Sequence, residues 1–378
     1  MIIYRKAVLP IYFKANALAC GIKRSGKPDL GLLYSHVPAK ASCLFTANKI
    51  QAAPIKVNKA QLKHGGEYKG ILVNSGNANC FTGAQGVADA QGLLKTLARG
   101  LRIKKEELLV ASTGIIGRRL PVARMKKALS KLTKGLSLDG IDRVSRAILT
   151  TDTFTKEVSV KFNLGKSQIT ICGIAKGAGM ISPDMATMLV FILTDARITQ
   201  QALDKALRIA TENSFNCITV DGCMSTNDSV MVLANAAANN EAIDANKNFL
   251  LFCGALNMLC LELAKLVVRD GEGATKFIRI RVGGAKNFKE AKKAALAIAN
   301  SNLFKTAMYG EDPNFGRIAA GIGACGVEVE ESKLKIKVSS LKKRDISVDV
   351  ALGQGEGAAV VYTSDLSPGY IKINAAYN

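Results

Sequence analysis

The sequence predicts a mixed α/β fold built from two or three packed units. The chain has 378 residues, more than one hydrophobic core usually organises. Hydrophobic residues make up 48% and charged residues 22%, the proportions of a globular protein. Segments of strand period and helix period alternate along the whole length, as a layered α/β architecture requires. Trp is absent and aromatics are 6%, so aliphatic side chains and alanine must fill the core.

The elements follow in order. Ile71-Leu72-Val73 reads as a short buried strand running into a polar loop, Asn74-Ser75-Gly76-Asn77. Residues 121–133 read as a helix with Pro121 near its first turn, where a missing N–H costs nothing. Residues 158–163 and 169–174 alternate apolar and polar around Gly165, as a hairpin does. Residues 188–193 form an unbroken apolar run, the pattern of a strand buried on both faces. Residues 199–211 read as a helix with Thr199 as N-cap. Phe249 to Val268 is the longest apolar stretch; Asn257, Glu262 and Lys265 within it favour a buried helix over a membrane span. Strand 277–282, helix 288–299 and a strand pair at 334–338 and 346–350 complete the pattern.

Lys plus Arg number 52 and Asp plus Glu 30, a net charge of +22. Such a field attracts anionic substrates or a nucleotide cofactor. The basic residues are spread out and form no long tail, so charge alone does not mark a nucleic-acid site. Nine scattered cysteines without a C-x-x-C pair read as reduced thiols of a cytoplasmic protein. With His36 and His64 the sole histidines, a histidine-rich metal site lacks material, and neither residue sits in a turn-rich motif of the kind a Ser-His-Asp triad needs. Pro10, Lys14 and Lys23 interrupt any apolar leader, so no targeting segment is expected. Gly321-Ile-Gly323-Ala-Cys-Gly326 matches G-x-G-x-x-G, but a helix precedes it and a strand follows, the reverse of a dinucleotide site. Gly165-Lys166-Ser167 resembles the end of a P-loop, yet Val160 stands where the first glycine belongs.

Four glycine-rich segments could carry chemistry: 112–117, 176–189, 270–276 and 310–316. By pattern alone Thr187 is a β-branched residue opening a buried strand. Lys176 and Glu272 read as solvated charges, Thr153 as a helix cap and Asn374 as a turn residue.

Taken together the segments resemble the glutamate/ornithine N-acetyltransferase family of arginine biosynthesis. The resemblance runs through Phe45-Thr-Ala-Asn48, Val73-Asn-Ser-Gly-Asn-Ala-Asn79, Ser112-Thr-Gly-Ile-Ile-Gly117 and Thr150-Thr-Asp-Thr153. It continues in Lys176-Gly-Ala-Gly-Met180, Met185-Ala-Thr-Met-Leu189, Thr219-Val-Asp-Gly222 and Ser225-Thr-Asn-Asp228. Arg269 to Lys276, Gly310 to Asn314, Thr363 to Leu366 and Ile371 to Asn374 complete it.

The resemblance implies a layered αββα-type sandwich with a smaller C-terminal portion. It implies self-cleavage between Ala186 and Thr187, giving an α chain of residues 1–186 and a β chain of 187–378, assembled as two α and two β chains. Thr187 becomes the nucleophile that moves the acetyl group of N2-acetylornithine to glutamate. Its free amine serves as base, which fits a chain poor in histidine. Thr113 and Gly114 supply the oxyanion hole; Thr153, Lys176, Thr187, Glu272 and Asn374 contact substrate. Lysine suits the α-carboxylate both substrates share, and Glu272 the amino group of ornithine. No metal or bound cofactor is implied. Acetyl-CoA as a second donor separates a bifunctional from a monofunctional version. An N-terminal-nucleophile aminopeptidase of related architecture is the alternative. Family members often carry Ser at position 178 and Asn at 184, where this chain has Ala178 and Asp184, and commonly end with Ser or Thr one position beyond Asn378.

Overall fold

A computed structural model describes residues 1–182, 188–244 and 247–376. It divides into two compact units. The first comprises Met1–Gly177, Asp184–Asn213 and Met224–Leu263; the second comprises Ala178–Pro183, Ser214–Cys223 and Ala264–Asn378. Both therefore draw on residues from either side of position 186.

Unit 1 carries β1 (Ile2–Tyr4), β2 (Phe13–Leu18), β3 (Leu30–Phe45), β4 (Tyr68–Asn77), β5 (Leu108–Ile115), β6 (Lys156–Leu164), β7 (Ser167–Lys176), β8 (Leu189–Thr194) and β9 (Ser229–Ala234). They hydrogen-bond in the order β1-β6-β7-β8-β9-β3-β4-β5, with β2 also on β3. The long β3 joins two halves. Its residues 30–34 pair with β2 and β4, and its residues 40–45 pair with β9.

Side-chain alternation shows the layering. Phe13, Leu33, Ile71, Val73, Leu109 and Ala111 of one half meet Ile174, Leu189, Phe191, Met231 and Leu233 of the other in a single core. The intervening Leu32, Leu72, Leu108 and Val110 point the opposite way, onto helices α2 (Gly83–Leu101) and α3 (Val122–Lys134) with α1 (Ala53–Lys63). Helix α4 (Ile141–Ala147) adds Ile141 and Val144 to the inner core. On the outer face of β7, Gly173 lies against Leu259 and Leu263 of α6 (Lys247–Arg269); a Cβ there would stand 2.7 Å from Leu259. Helix α5 (Gln200–Glu212) begins at Thr199, whose hydroxyl accepts from the Ala202 N–H. The order of layers is helix, sheet, sheet, helix, as the resemblance implies. Each inward Leu, Ile or Phe contributes about 1.5–3 kcal/mol by burial.

Unit 2 holds β10 (Phe277–Ala285), helices α7 (Phe288–Ala299), α8 (Asn302–Tyr309) and α9 (Phe315–Gly323), strands β11 (Lys335–Val338), β12 (Asp345–Ala351) and β13 (Gly357–Ser364), and helix α10 (Pro368–Ala375). The sheet order is β11-β12-β10-β13. Ala291, Ala294, Ala295 and Ile298 of α7 fall on one helical face and pack with Ile278, Ile280, Val348 and Val361.

Most expected elements stand where the pattern put them, including the turn at Gly165 (φ +59°). Two differ. Asn74 to Asn77 is strand rather than loop, because Asn74 pairs with Leu30 on one side and Ser112 on the other. Helix α6 is buried on one side only: Leu250 is 75% exposed. It is long and apolar enough to cross a membrane, with a little over half of that stretch buried.

Candidate active site

In unit 1 the parallel pair β4–β5 brings two of the singled-out residues to the end of the sheet. Asn74, Ser75 and Gly76 stand opposite Ser112, Thr113 and Gly114, and the register slips at Asn77. Gly114 has φ +129°, and a Cβ on it would lie 2.4 Å from the Gly76 carbonyl carbon. Only glycine fits where two backbones approach so closely.

Buried amides brace this crossing. The Ser112 hydroxyl donates to Asn74 Oδ1 at 2.7 Å, and Asn74 Nδ2 donates to the Asn77 carbonyl at 2.8 Å. Asn227 Nδ2 donates to the carbonyls of Ala78 (2.6 Å) and Ser112 (2.8 Å). With its buried polar groups satisfied, the strand end is rigid.

Lys176 closes β7 and is 3% exposed. Its Nζ donates to Thr113 Oγ1 at 3.3 Å. Neither it nor Glu272 is the solvated charge that pattern suggests. Behind Lys176 lies Asp152. The Asp152 Oδ1 accepts from Lys156 Nζ and from the Gly177 N–H, each at 2.7 Å, and Oδ2 accepts from the Thr150 N–H at 2.9 Å. Both side chains of the Lys156–Asp152 pair are fully buried, and Lys156 Nζ stands 5.0 Å from the Phe154 ring centroid. Burial pushes the Asp152 carboxyl up, but the charges of Lys176 and Lys156 outweigh it and hold the group well below the usual carboxylate range. Lys23 donates to the carbonyls of Pro28 and Ala147. Burial, and to a lesser degree the Lys176 charge, lower its pKa to about 8. The site thus gathers Lys23, Lys156 and Lys176 with the carboxylates of Asp152 and Asp29, one positive charge in excess, an environment suited to a carboxylate ligand. Thr153 is exposed, follows Asp152 directly in the loop before β6, and caps no helix.

Unit 2 brings together the other two. Glu272 is 8% exposed and accepts from Asn374 Nδ2 at 2.8 Å. Asn374 lies within α10, not in a turn, and also donates to the Tyr370 carbonyl at 3.0 Å. Gly273 (φ +68°) lets the chain pass α10, since a Cβ would stand 2.3 Å from the Tyr370 nitrogen.

Ala186, Thr187, Asp184 and Asn378 lie outside the described residues. Both histidines are exposed: His36 in β3 meets Tyr34 edge-on, and His64 ends α1. All nine cysteines are free thiols. The Gly321–Gly326 motif lies at the end of α9, and Gly165-Lys166-Ser167 turns the β6–β7 hairpin.

Sequence reasoning missed Asp152, Lys156 and Asn227 as parts of this arrangement. Each stands in or beside a quoted motif, and a lone Asp and Lys four apart was the available signal.

The sequence profile of the ArgJ family matches residues 14–343. An arginine biosynthesis bifunctional protein ArgJ from Geobacter sulfurreducens is 42% identical over 387 residues, covering 97% of this chain and 98% of that protein. Its counterpart from Oceanobacillus iheyensis is 43% identical over 389 residues, covering 97% and 95%. Among solved structures, argJ from Bacillus halodurans is 40% identical over 50% of this chain and 98% of its own, with a TM-score of 0.48. Ornithine acetyltransferase from Mycobacterium tuberculosis, solved with ornithine, is 33% identical over 48% and 97%, with a TM-score of 0.45.

The family match and the relatives define the class: an N-acyltransferase of arginine biosynthesis, rather than the aminopeptidase alternative. The chain belongs to the ArgJ family.

Proposed function

We propose that the chain matures by cutting itself between Ala186 and Thr187, and that Thr187 then carries the acetyl group from N2-acetylornithine to glutamate. In the first step Thr187 Oγ bonds to the Ala186 carbonyl carbon. The hydroxyl proton passes to the peptide nitrogen and the C–N bond breaks, leaving an ester. Water hydrolyses that ester, returning the hydroxyl and leaving the Ala186 carboxylate. The freed α-amine has an ordinary pKa of about 7.7–8.0, so part of it is neutral at physiological pH and can take the proton of its own hydroxyl.

In transfer, Thr187 attacks the acetyl carbon, ornithine leaves, and the amine of glutamate accepts the acetyl group. The observation that carries this reading is the buried Lys176 ammonium 3.3 Å from Thr113 Oγ1, beside the glycine-only backbone at Gly114. A carboxylate-binding cation and oxyanion donors are adjacent there, so a substrate held by its carboxylate places its acyl oxygen near Thr113 and Gly114. Asp152, whose ionised form the Lys176 charge favours, stands beside that lysine. By the family resemblance Thr153, Glu272 and Asn374 are further substrate contacts, with Glu272 the partner of the ornithine amine.

The division into chains 1–186 and 187–378, an α2β2 assembly and a cytoplasmic location belong to the same reading. So does acetyl-CoA as a second donor, for which the +22 net charge is favourable. Glutamate acetylation from acetyl-CoA with acetylornithine withheld separates the bifunctional from the monofunctional version.

The test of the whole scheme is a denaturing gel of active protein with N-terminal sequencing. Two fragments of similar size, one beginning at Thr187, are expected. A single intact species with full activity refutes the scheme.

A further inference from the structure

Lys23 lies in the loop between β2 and β3, and that loop is wound on one carboxylate. Asp29 is fully buried. Its Oδ1 accepts from the Cys20 N–H at 2.7 Å, and its Oδ2 from the Ile22 and Lys23 N–H groups at 2.6 and 3.0 Å. The Asp29 carbonyl in turn accepts from the Ser75 N–H of β4 at 2.9 Å. The loop is therefore fastened to the strand end that carries Gly76. The Lys23 stem lies along that end, since a Cβ on Gly76 would stand 3.1 Å from Lys23 Cγ. Gly76 is the residue that Gly114 approaches on its other side.

The Lys23 ammonium reaches beyond the strand. It donates to the Pro28 carbonyl at 2.9 Å and to the Ala147 carbonyl at 3.1 Å. Ala147 is the last residue of α4, where carbonyls lack helical partners and a lysine is a suitable cap. The Ser75 hydroxyl donates to the same carbonyl. From Ala147 the chain runs five residues to Asp152. It is held on the way by the Ile148 N–H on the Val144 carbonyl (3.1 Å) and the Leu149 N–H on the Arg146 carbonyl (3.4 Å). The Thr150 N–H then bonds Asp152 itself, and Asp152 holds the Gly177 N–H next to Lys176. All of these residues belong to unit 1.

We infer that Lys23 is a positioning residue for the carboxylate-binding end of the site. It ties the end of α4 to the end of β4, and so fixes where residues 148–152 deliver Asp152 beside Lys176. Lys23 touches no reacting group. Without its ammonium the Ala147 carbonyl keeps only Ser75, and the loop that carries Asp152 loosens. A displacement of about 1 Å is enough to weaken a grip of this kind. The inference rests on the reading of Lys176 as the cation for the substrate carboxylate, and names what holds that cation in place.

The test measures transfer from N2-acetylornithine to glutamate by wild type, Lys23→Met, Ser75→Ala and Lys176→Met, with thermal melting alongside. Methionine keeps a stem against Gly76 and removes the ammonium. Lys23→Met is expected to raise KM about five- to ten-fold for both substrates, because both present an α-carboxylate, with kcat changed less than about three-fold. Ser75→Ala, which removes the other donor to Ala147, is expected to raise both KM values about two- to five-fold. A lysine that serves stability alone would lower the melting temperature and the active fraction and leave KM where it was. Should Lys23→Met fail to fold, Ser75→Ala decides. Unchanged KM values, or a rise for one substrate only, overturn the inference if Lys176→Met raises both or abolishes transfer. If Lys176→Met also leaves KM unchanged, the reading of Lys176 falls and takes the inference with it.

Discussion

Replacing Asp152 by Asn tests the electrostatics of the site directly. The carboxylate takes three donors: Lys156 Nζ and the Gly177 N–H on one oxygen, the Thr150 N–H on the other. Asparagine keeps the shape but has a single acceptor oxygen. Its amide nitrogen must face either Thr150 or the Lys156–Gly177 pair, donor against donor. Because both members of the ion pair are fully buried, removing one costs about 3–5 kcal/mol. Replacing both is different. Asp152→Asn together with Lys156→Met removes that pair but also the carboxylate beside the buried Lys176, so it should recover about half of the loss. Guanidinium unfolding followed by circular dichroism measures this through the transition midpoint at constant slope.

The pH dependence has a definite sign. The folded carboxyl titrates below its unfolded value of about 3.9, so its stabilisation is present above that pH and fades as pH falls through the folded value. The gap between wild type and Asp152→Asn therefore narrows in acid. A single variant within about 0.5 kcal/mol of wild type, or a double variant no better than the single, would refute the reasoning.

Gly114→Ala puts a Cβ 2.4 Å from the Gly76 carbonyl carbon at φ +129°, so β4 and β5 must part by about 1 Å to reach ordinary contact. A stability loss of about 2–5 kcal/mol and a fall in kcat of about 100-fold are expected, read from the unfolding midpoint and steady-state kinetics. Glu272→Gln should raise KM for N2-acetylornithine by about ten-fold or more while changing KM for glutamate less, since only ornithine presents the second amine. Equal effects on both substrates would remove Glu272 from that role.

Local chemistry made much of this legible beforehand. The alternation around Gly165 and the Thr199 cap each encode their element within a few residues, because turn geometry and capping are short-range. Asn74 to Asn77 misread as loop, since four polar residues give no apolar period. Pairing with Leu30 and Ser112, distant in sequence, makes them strand. Lys176 and Glu272 misread as solvated for the same reason: burial of a charge depends on which partners the fold supplies.

The sequence by itself determined the α/β class and, through its motifs in order, the family. Periodicity and motif chemistry need only neighbouring residues. The tertiary structure alone decided that Lys176 meets Thr113, that Asp152 lies between two lysines, that Glu272 meets Asn374, and that Asp221 grips Met180 and Ile181. Those contacts join residues 40 to 102 positions apart or lie at the ends of a strand pair, and a buried charge is stable only where such partners converge.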